Sequence, residues 1–344
     1  MYKKLIRPIL FLFNPETIHD FTFLLFKIIS YIPLGSNFIG LITGGNKFNK
    51  EIDLFGLKFP NHVGLAAGLD KNAFAYKVLC KMGFGFIEIG TITPEAQSGN
   101  PKPRSFRLKR NKALINRMGF NNYGLDKTIR NLKKKPPGVI IGGNIGKNTQ
   151  TTNEDAVNDY LKCFKELFDY VDYFVVNVSC PNVKDLRKLQ DTDSLLNILG
   201  SIQENNNIRP KRKPVLLKIS PDLNEERLLE VIDIVNNTGI DGIVATNTTT
   251  KREDLSYSKD EINNIGNGGL SGKPLKNRAI EVVRFIYEKS NGKIPIIGVG
   301  GIMNPKDAQE MLNAGADLVQ IYTGFIYEGP KLIREIKKCF FTSQ

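Results

Sequence analysis

The chain has 344 residues, 41% of them hydrophobic, and a formal net charge of +13. This length fits one large domain with a small appendage, or two domains, and the charge suits anionic partners such as phosphates or acidic lipid head groups. The sequence contains no zinc-ligand spacing, aromatic RNA-binding signature or helix-turn-helix pattern, and its four cysteines form no CxxC pair, so nucleic-acid binding and a disulfide framework are both disfavoured.

The N-terminal segment, residues 1–35, differs from the rest of the chain. It contains two apolar stretches, residues 5–13 and 21–32, which are separated by a turn with a proline. Neither stretch reaches the roughly 20 apolar residues that span a bilayer, and no small-residue cleavage site of a signal peptide accompanies them. Aromatic side chains and the basic Lys3 and Lys4 predict a helical hairpin that lies in a membrane interface. A helix pair packed on the protein's own core is the alternative.

Alternating strands and helices are predicted for residues 51–344, after a linker over residues 36–50. Eight units of this kind in succession predict an α/β fold of the (β/α)8 TIM-barrel type. A doubly wound open sheet is the competing architecture. The eight apolar runs with the length of buried strands are residues 63–69, 86–92, 139–145, 173–178, 215–219, 242–246, 294–299 and 318–322.

Two amides, a hydroxyl and a thiol follow the fourth predicted strand, in the segment Asn177-Val178-Ser179-Cys180-Pro181-Asn182. In an α/β barrel the chemistry takes place at the carboxyl ends of the strands. Amides can orient a planar, carbonyl-rich ligand, and a thiol can carry a proton. A polar turn with a buried cysteine is the alternative for this segment taken alone.

Small and polar residues also follow the other predicted strands. The first strand ends in Ala66-Ala67-Gly68-Leu69-Asp70-Lys71, where small residues let a flat cofactor approach the backbone and Lys71 supplies a cation. Lys218 interrupts the apolar fifth strand, and a buried lysine implies an anionic partner. The second, third and sixth strands end in residues 90–93, 144–147 and 246–249, which are rich in Gly, Asn and Thr.

Glycine-rich turns follow the seventh and eighth strands, at residues 298–301 and 322–324, and a third lies at residues 268–272. Backbone N–H groups of such turns favour a phosphate in barrels of this type, although ordinary tight turns are the alternative. The stiff basic segment 100–108 and the turn Asn116-Arg117-Met118-Gly119-Phe120-Asn121-Asn122 suit a ligand with carboxylate and amide groups.

Taken together, these segments resemble the motifs of the dihydroorotate dehydrogenase family, in the same order and at the same spacing. The N-terminal NPETIHDF is similar to the membrane-associated, quinone-reducing class 2 of that family. The matching motifs are AAGLDK, EIGT, NRMGFNN, NIGKN, NVSCPN, LKISPD, ATNTT, GGLSG, GVGGI and QIYTGF.

The resemblance implies a flavin enzyme of de novo pyrimidine biosynthesis, the route to UMP. It would oxidise dihydroorotate to orotate, passing a hydride to FMN and then electrons to ubiquinone or menaquinone. It would act as a monomer attached by its hairpin to the cytoplasmic side of a bacterial inner membrane.

The resemblance also implies which residues contact each ligand. The FMN contacts would be Ala67, Gly68, Leu69, Asp70, Lys71, Thr91, Asn144, Asn177, Lys218, Thr246, Gly272, Gly301, Tyr322 and Thr323. The dihydroorotate contacts would be Lys71, Asn116, Arg117, Met118, Gly119, Phe120, Asn177, Asn182, Asn247 and Thr248. The quinone contacts would be His19, Arg107 and Tyr322.

Cys180 departs from the class 2 pattern, in which serine is the catalytic base, and matches class 1. A thiol, with an unperturbed pKa of about 8.5, is a better base near neutral pH than a hydroxyl, so Cys180 is predicted to remove the proton from C5 of dihydroorotate. Its presence would permit a class 1-like enzyme that uses fumarate or another soluble acceptor. The further alternatives are another FMN barrel, such as a dihydropyrimidine or dihydrouridine reductase, and a phosphate-binding barrel at a membrane surface without redox activity.

Overall fold

Helices precede the first strand in the computed structural model, which describes residues 2–179 and 191–342. A π-helical turn, Tyr2–Ile6, leads into α1 (Arg7–Leu10), and α2 (Pro15–Tyr31) and α3 (Gly35–Thr43) follow. The side chain of Asn14 caps α2 by accepting the backbone N–H of Glu16 at 2.9 Å.

A linker was predicted over residues 36–50, but the first half of that segment forms helix α3. Gly44, with φ +69°, ends the helix in the left-handed conformation that glycine adopts most readily. The helical hairpin therefore consists of α2 and α3, and it extends past residue 35. Among the described helices none is long and apolar enough to cross a membrane alone; α2 and α3 reach that length and hydropathy only as a pair, bent by 116°.

The predicted barrel is confirmed, because eight parallel strands close into a ring in the part of the chain that the structure describes. An antiparallel hairpin of β1 (Ile52–Leu54) and β2 (Leu57–Phe59) precedes the ring. Around the ring the strands are β3 (Val63–Leu65), β4 (Phe86–Ile92), β7 (Ile140–Ile145), β8 (Tyr173–Asn177), β9 (Val215–Ile219), β10 (Gly242–Ala245), β12 (Ile296–Val299) and β13 (Leu318–Ile321). A separate antiparallel sheet contains β5 (Ser105–Leu108), β6 (Ala113–Asn116) and β11 (Gly269–Gly272).

Helices follow the barrel strands and cover the outside of the ring. The first barrel strand is shorter than predicted, since the chain leaves the sheet after Leu65 and Gly68 adopts a φ of +97°. These helices are α4 (Tyr76–Lys81), α5 (Gly124–Leu132), α6 (Ala156–Leu167), α7 (Thr192–Asn207), α8 (Glu225–Thr238), α10 (Lys276–Lys289), α11 (Pro305–Asn313), α12 (Thr323–Glu328) and α13 (Pro330–Thr342). The short helix α9 (Lys259–Ile265) packs on the small antiparallel sheet instead.

The interior of the barrel is filled in layers, because side chains alternate between the two faces of each strand. At the amino ends of the strands the interior is apolar, and Phe86 and Tyr173 belong to that cluster. Phe59 of β2 packs edge-on against Phe86, with ring centroids 5.2 Å apart, and closes this end. Polar residues of the barrel interior lie toward the opposite end, at the carboxyl ends of the strands.

Candidate functional site

A cavity that is open to solvent lies at the carboxyl ends of the barrel strands. Concave sites at this end of a barrel are the usual place for cofactors and substrates. The small antiparallel sheet contributes to it, because β6 ends at Asn116 and β11 ends at Gly272. The predicted site residues that line the cavity are Ala67, Gly68, Lys71, Thr91, Asn116, Met118, Gly119, Phe120, Asn177, Lys218, Thr246, Asn247, Thr248, Gly272, Gly301, Tyr322 and Thr323.

Leu69, Asp70, Asn144 and Arg117 are not among the residues that line this cavity, and their ligand contacts stay predictions. The Asp70 carboxylate accepts the backbone N–H groups of residues 74 and 75, at 2.7 and 2.9 Å, and shapes the turn after β3. The Arg117 guanidinium donates to the backbone carbonyl of Pro103 at 3.0 Å and lies over the ring of Phe106.

Cys180 and Asn182, two of the predicted substrate-side residues, are outside the described residues. The residue before Cys180 is described: Ser179 is buried, and its hydroxyl accepts the amide of Asn247 at 3.0 Å. The residue that precedes the predicted base therefore contacts Asn247, a residue of the cavity lining.

The sequence reasoning missed part of the lining. Gln320 could have been found, because it is an amide within the apolar strand β13, as Lys218 is a cation within the apolar strand β9. Ala66, Ser271, Val299, Gly300 and Gly324 also line the cavity, and they lie in the strand-end segments and glycine-rich turns that the sequence indicated. The other residues that were missed, Leu275, Ile302 and Ile321, are aliphatic and carry no signal of their own.

The amides at the substrate end of the cavity hold one another in place. The Asn177 amide donates to the hydroxyl of Thr91 at 3.0 Å and to the side-chain oxygen of Asn144 at 3.3 Å. Thr91 donates to the same Asn144 oxygen at 2.6 Å, and the Asn247 amide donates to Asn177 at 3.3 Å. Such a network fixes the direction in which Asn177 and Asn247 present their polar atoms to a ligand.

Two lysines bring positive charge to the cavity. Burial, and then the positive charge of Arg104, lower the pKa of Lys71 to about 8. A carboxylate on the ligand would favour its charged form. Lys218 is almost completely buried, and its ammonium lies 3.1 Å from the carboxylate of Glu88.

The opposite end of the cavity has glycines and hydroxyls. The hydroxyls of Ser271 and Thr323 are hydrogen-bonded to each other at 2.8 Å, and α12 begins at Thr323. Gly301 has a φ of +72°, and a Cβ atom there would come within 2.5 Å of Lys276. The donor set therefore suits a phosphate at one end and a carbonyl-rich ring at the other.

His19 and Arg107, two of the predicted quinone residues, lie between the N-terminal helices and the barrel. The His19 Nε2 donates to the carbonyl of Leu69 at 2.8 Å, so α2 is tied to the segment that follows β3. Arg107 donates to the carbonyl of Phe13 at 2.7 Å. Tyr322, the third of them, lines the cavity, and its hydroxyl lies 3.4 Å from the carbonyl of Gly68.

A buried ion pair that the sequence did not reveal anchors α2 to the loop after β4. Arg104 donates to Glu16 at 2.7 Å, and it also donates to the backbone carbonyls of Ser98 and Asn100. The loop leads through β5 and β6 to Asn116 at the cavity. The ion pair and the strands β5 and β6 therefore link the hairpin to the substrate side of the cavity.

We expect Glu16→Gln to destabilise the protein near neutral pH but not in acid. Burial acts to raise the pKa of Glu16, but hydrogen bonds from Arg104 and Lys102 and their charges outweigh it and hold the pKa below its usual value. The pair thus stabilises the fold above about pH 4.3, the unfolded pKa of Glu, and that stabilisation is lost as the pH falls through the lowered folded pKa.

Unfolding temperatures between pH 7 and pH 3 measure this effect. Breaking a buried ion pair costs about 3–5 kcal/mol, so the wild type should be clearly more stable than Glu16→Gln at pH 7, with the difference shrinking below pH 4. Glu51→Gln is the matched control, because its ion pair with Lys58 is exposed and should contribute little. Equal destabilisation by both substitutions at pH 7 would contradict the anchoring role.

A large apolar surface remains uncovered on the N-terminal helices. The side chains of Leu24, Ile28, Leu34, Phe38 and Leu41 are each more than half exposed. Large exposed apolar patches mark sites that contact lipid, protein or a ligand. These side chains lie on α2, on α3 and in the turn between them, and His19 and Glu16 connect α2 to segments that border the cavity.

Comparisons with known proteins agree with this geometry. The family model for dihydroorotate dehydrogenase matches residues 50–341. A relative named dihydroorotate dehydrogenase (quinone), from Christiangramia forsetii, is 54% identical, with 98% of each chain covered. One of the same name from Marinomonas sp. is 46% identical over 96% of this chain and 95% of that protein.

Solved structures of DHODH from Eimeria tenella have the same fold. The complex with ferulenol is similar with a TM-score of 0.82 and 36% sequence identity, covering 95% of this chain and 90% of that one. The ligand-free form has a TM-score of 0.79 and 38% identity, covering 89% of this chain and 93% of that one.

Proposed function

Because this chain belongs to the dihydroorotate dehydrogenase family, we infer that it oxidises dihydroorotate to orotate in pyrimidine biosynthesis, with a quinone as the electron acceptor. The observation that carries this function is the cavity at the barrel mouth, which has oriented amides and lysines at one end and glycines and hydroxyls at the other. The relatives named for quinone support that acceptor over fumarate.

FMN is the flavin that we propose for this cavity. When bound, it would take two electrons from the substrate and release them to the quinone. Lys218 would place positive charge beside the carbonyl edge of the ring, and Asn177 would hydrogen-bond to the same part. Gly301 and Thr323 would hold the phosphate, because the glycine backbone can approach closely and the hydroxyl donates.

Dihydroorotate would lie on the amide side of the cavity. Lys71 would bind its carboxylate, and Asn116, Asn177 and Asn247 would hydrogen-bond to its ring amides. This orientation holds the reacting carbon of the substrate close to the cofactor and supplies the proximity that accelerates the reaction. Cys180 would remove the C5 proton, since it directly follows the buried Ser179 at the same end of the cavity.

The hairpin of α2 and α3 would lie in the membrane interface and admit ubiquinone or menaquinone. Its exposed apolar side chains support this arrangement, and the connection of His19 to Leu69 places α2 against the segment that borders the cavity. We place the protein as a peripheral monomer on the cytoplasmic side of a bacterial inner membrane.

Turnover of the purified protein tests the function. With dihydroorotate and decylubiquinone in detergent or lipid, orotate should form continuously and in a one-to-one ratio with reduced quinone. With fumarate as the only acceptor, turnover should be at least about 100-fold slower. Turnover with fumarate as fast as with quinone would contradict the quinone assignment and favour the class 1-like alternative.

A further inference from the structure

A fully buried carboxylate lies below the cavity, in the interior of the barrel. Glu88 is in the middle of β4, two residues after Phe86 of the interior cluster, and its side chain is 0% exposed. It accepts three hydrogen bonds: from Lys218 at 3.1 Å, from the Asn144 amide at 2.8 Å and from the Gln320 amide at 2.6 Å. Buried charges are found where partners of this kind compensate them.

The carboxylate is directly behind two residues of the cavity wall. Lys218 and Gln320 line the cavity, whereas Glu88 does not. A ligand in the cavity would therefore lie closer to the ammonium of Lys218 than to the carboxylate of Glu88. In a site of low dielectric constant the negative charge still reduces the positive potential that the ligand experiences.

Asn144 extends the influence of Glu88 to the substrate side of the cavity. Asn144 donates its amide N–H to Glu88, which leaves its oxygen to accept from Thr91 and Asn177. The carboxylate thus determines which way the Asn144 amide faces, and Asn144 in turn orients Asn177. Glu88 is connected both to the charged residue and to the amide residues of the cavity.

We propose that Glu88 is a positioning residue that lowers the electron affinity of the bound flavin by holding the Lys218 ammonium and partly cancelling its charge. This inference rests on the proposed function, because it requires a flavin beside Lys218. It assigns to the acidic residue of the EIGT segment a role that does not depend on contact with any ligand. The role is electrostatic, so it differs from simple filling of the barrel interior.

Two substitutions separate charge from packing. Glu88→Gln keeps the size and still accepts hydrogen bonds, and the amide of Gln320 can turn over to present its oxygen to the new N–H. Only the negative charge is lost. Glu88→Asp keeps the charge on a shorter side chain and is the matched control.

The test is the reduction potential of the flavin in the purified holoenzyme, measured by anaerobic equilibration with a reference dye. Glu88→Gln should raise the ratio of reduced to oxidised flavin at a fixed potential by about tenfold, which is about 30 mV for a two-electron couple. Glu88→Asp should stay within about threefold of wild type. A Glu88→Gln potential that is unchanged or lower, in protein that retains flavin, overturns the inference.

Lys218→Met keeps the inference testable if Glu88→Gln does not fold. This substitution leaves the Glu88 carboxylate without its cation. It should lower the ratio of reduced to oxidised flavin at a fixed potential by at least about tenfold, and an unchanged ratio overturns the inference. Wild-type protein that binds no flavin contradicts the proposed function, whereas a flavoprotein whose potential ignores the charge at position 88 contradicts only the role of Glu88.

Discussion

Replacing Cys180 by alanine should slow the reduction of the bound flavin by dihydroorotate by about 10²–10⁴-fold, the usual contribution of a positioned general base. Reoxidation of the reduced enzyme by quinone should be unchanged, because no substrate proton is removed in that half-reaction. Anaerobic stopped-flow absorbance measures the two half-reactions separately.

The control for loss of a thiol as such is Cys163→Ala, since Cys163 is buried in α6 and its thiol faces the carbonyl of Ile92. This variant should reduce its flavin at the wild-type rate. Cys180→Ser should be slow near neutral pH and recover as the pH rises, because a hydroxyl needs stronger base than a thiol. Flavin reduction in Cys180→Ala at the wild-type rate would rule out Cys180 as the base.

The second large effect concerns the exposed apolar surface of the hairpin. The double substitution Leu24→Glu and Leu41→Glu should weaken binding to lipid vesicles by about 100-fold. Burying each leucine in lipid contributes about 1.5 kcal/mol at the low end, and about 1.4 kcal/mol corresponds to a factor of ten in an equilibrium constant. Turnover with a long-tail quinone should fall in parallel, while dihydroorotate still reduces the flavin.

Ile208→Glu with Leu229→Glu is the matched control, because these two exposed apolar side chains lie at the end of α7 and on α8, away from the hairpin. The control should bind vesicles as the wild type does. Co-sedimentation with vesicles measures binding directly. Equal loss of binding in both double variants, or in neither, would argue against a membrane role for α2 and α3.

The barrel could be predicted from the sequence because buried parallel strands are nearly continuous apolar runs. The same logic located most of the cavity, since the carboxyl ends of parallel strands meet at one end of a barrel. Lys218 illustrates this: a single charge in an apolar strand already indicated a site.

Helix α3 could not be predicted with equal ease, because the pair Gly44-Gly45 that follows it is typical of a linker. Its stability depends on tertiary contact: Gly40 packs so closely on the backbone of Lys81 that a Cβ atom would come within 2.9 Å of the Lys81 carbonyl oxygen. Local sequence carries no sign of such a contact.

Ion pairs between residues that are far apart in the sequence could not be predicted either. Glu16 meets Arg104, and Glu88 meets Lys218, only once the barrel has closed. The contacts of the Arg117 side chain were not predictable either: its guanidinium donates to the backbone carbonyl of Pro103. Direction of a side chain within a turn depends on the fold around it.

The central claim is that the cavity binds a flavin that dihydroorotate reduces, and the visible spectrum of the purified protein tests it most directly. We expect a yellow protein whose flavin absorbance bleaches within seconds when dihydroorotate is added without oxygen, and returns when quinone follows. A colourless protein that takes up no added FMN, or a flavin spectrum that dihydroorotate leaves unchanged, would contradict the account.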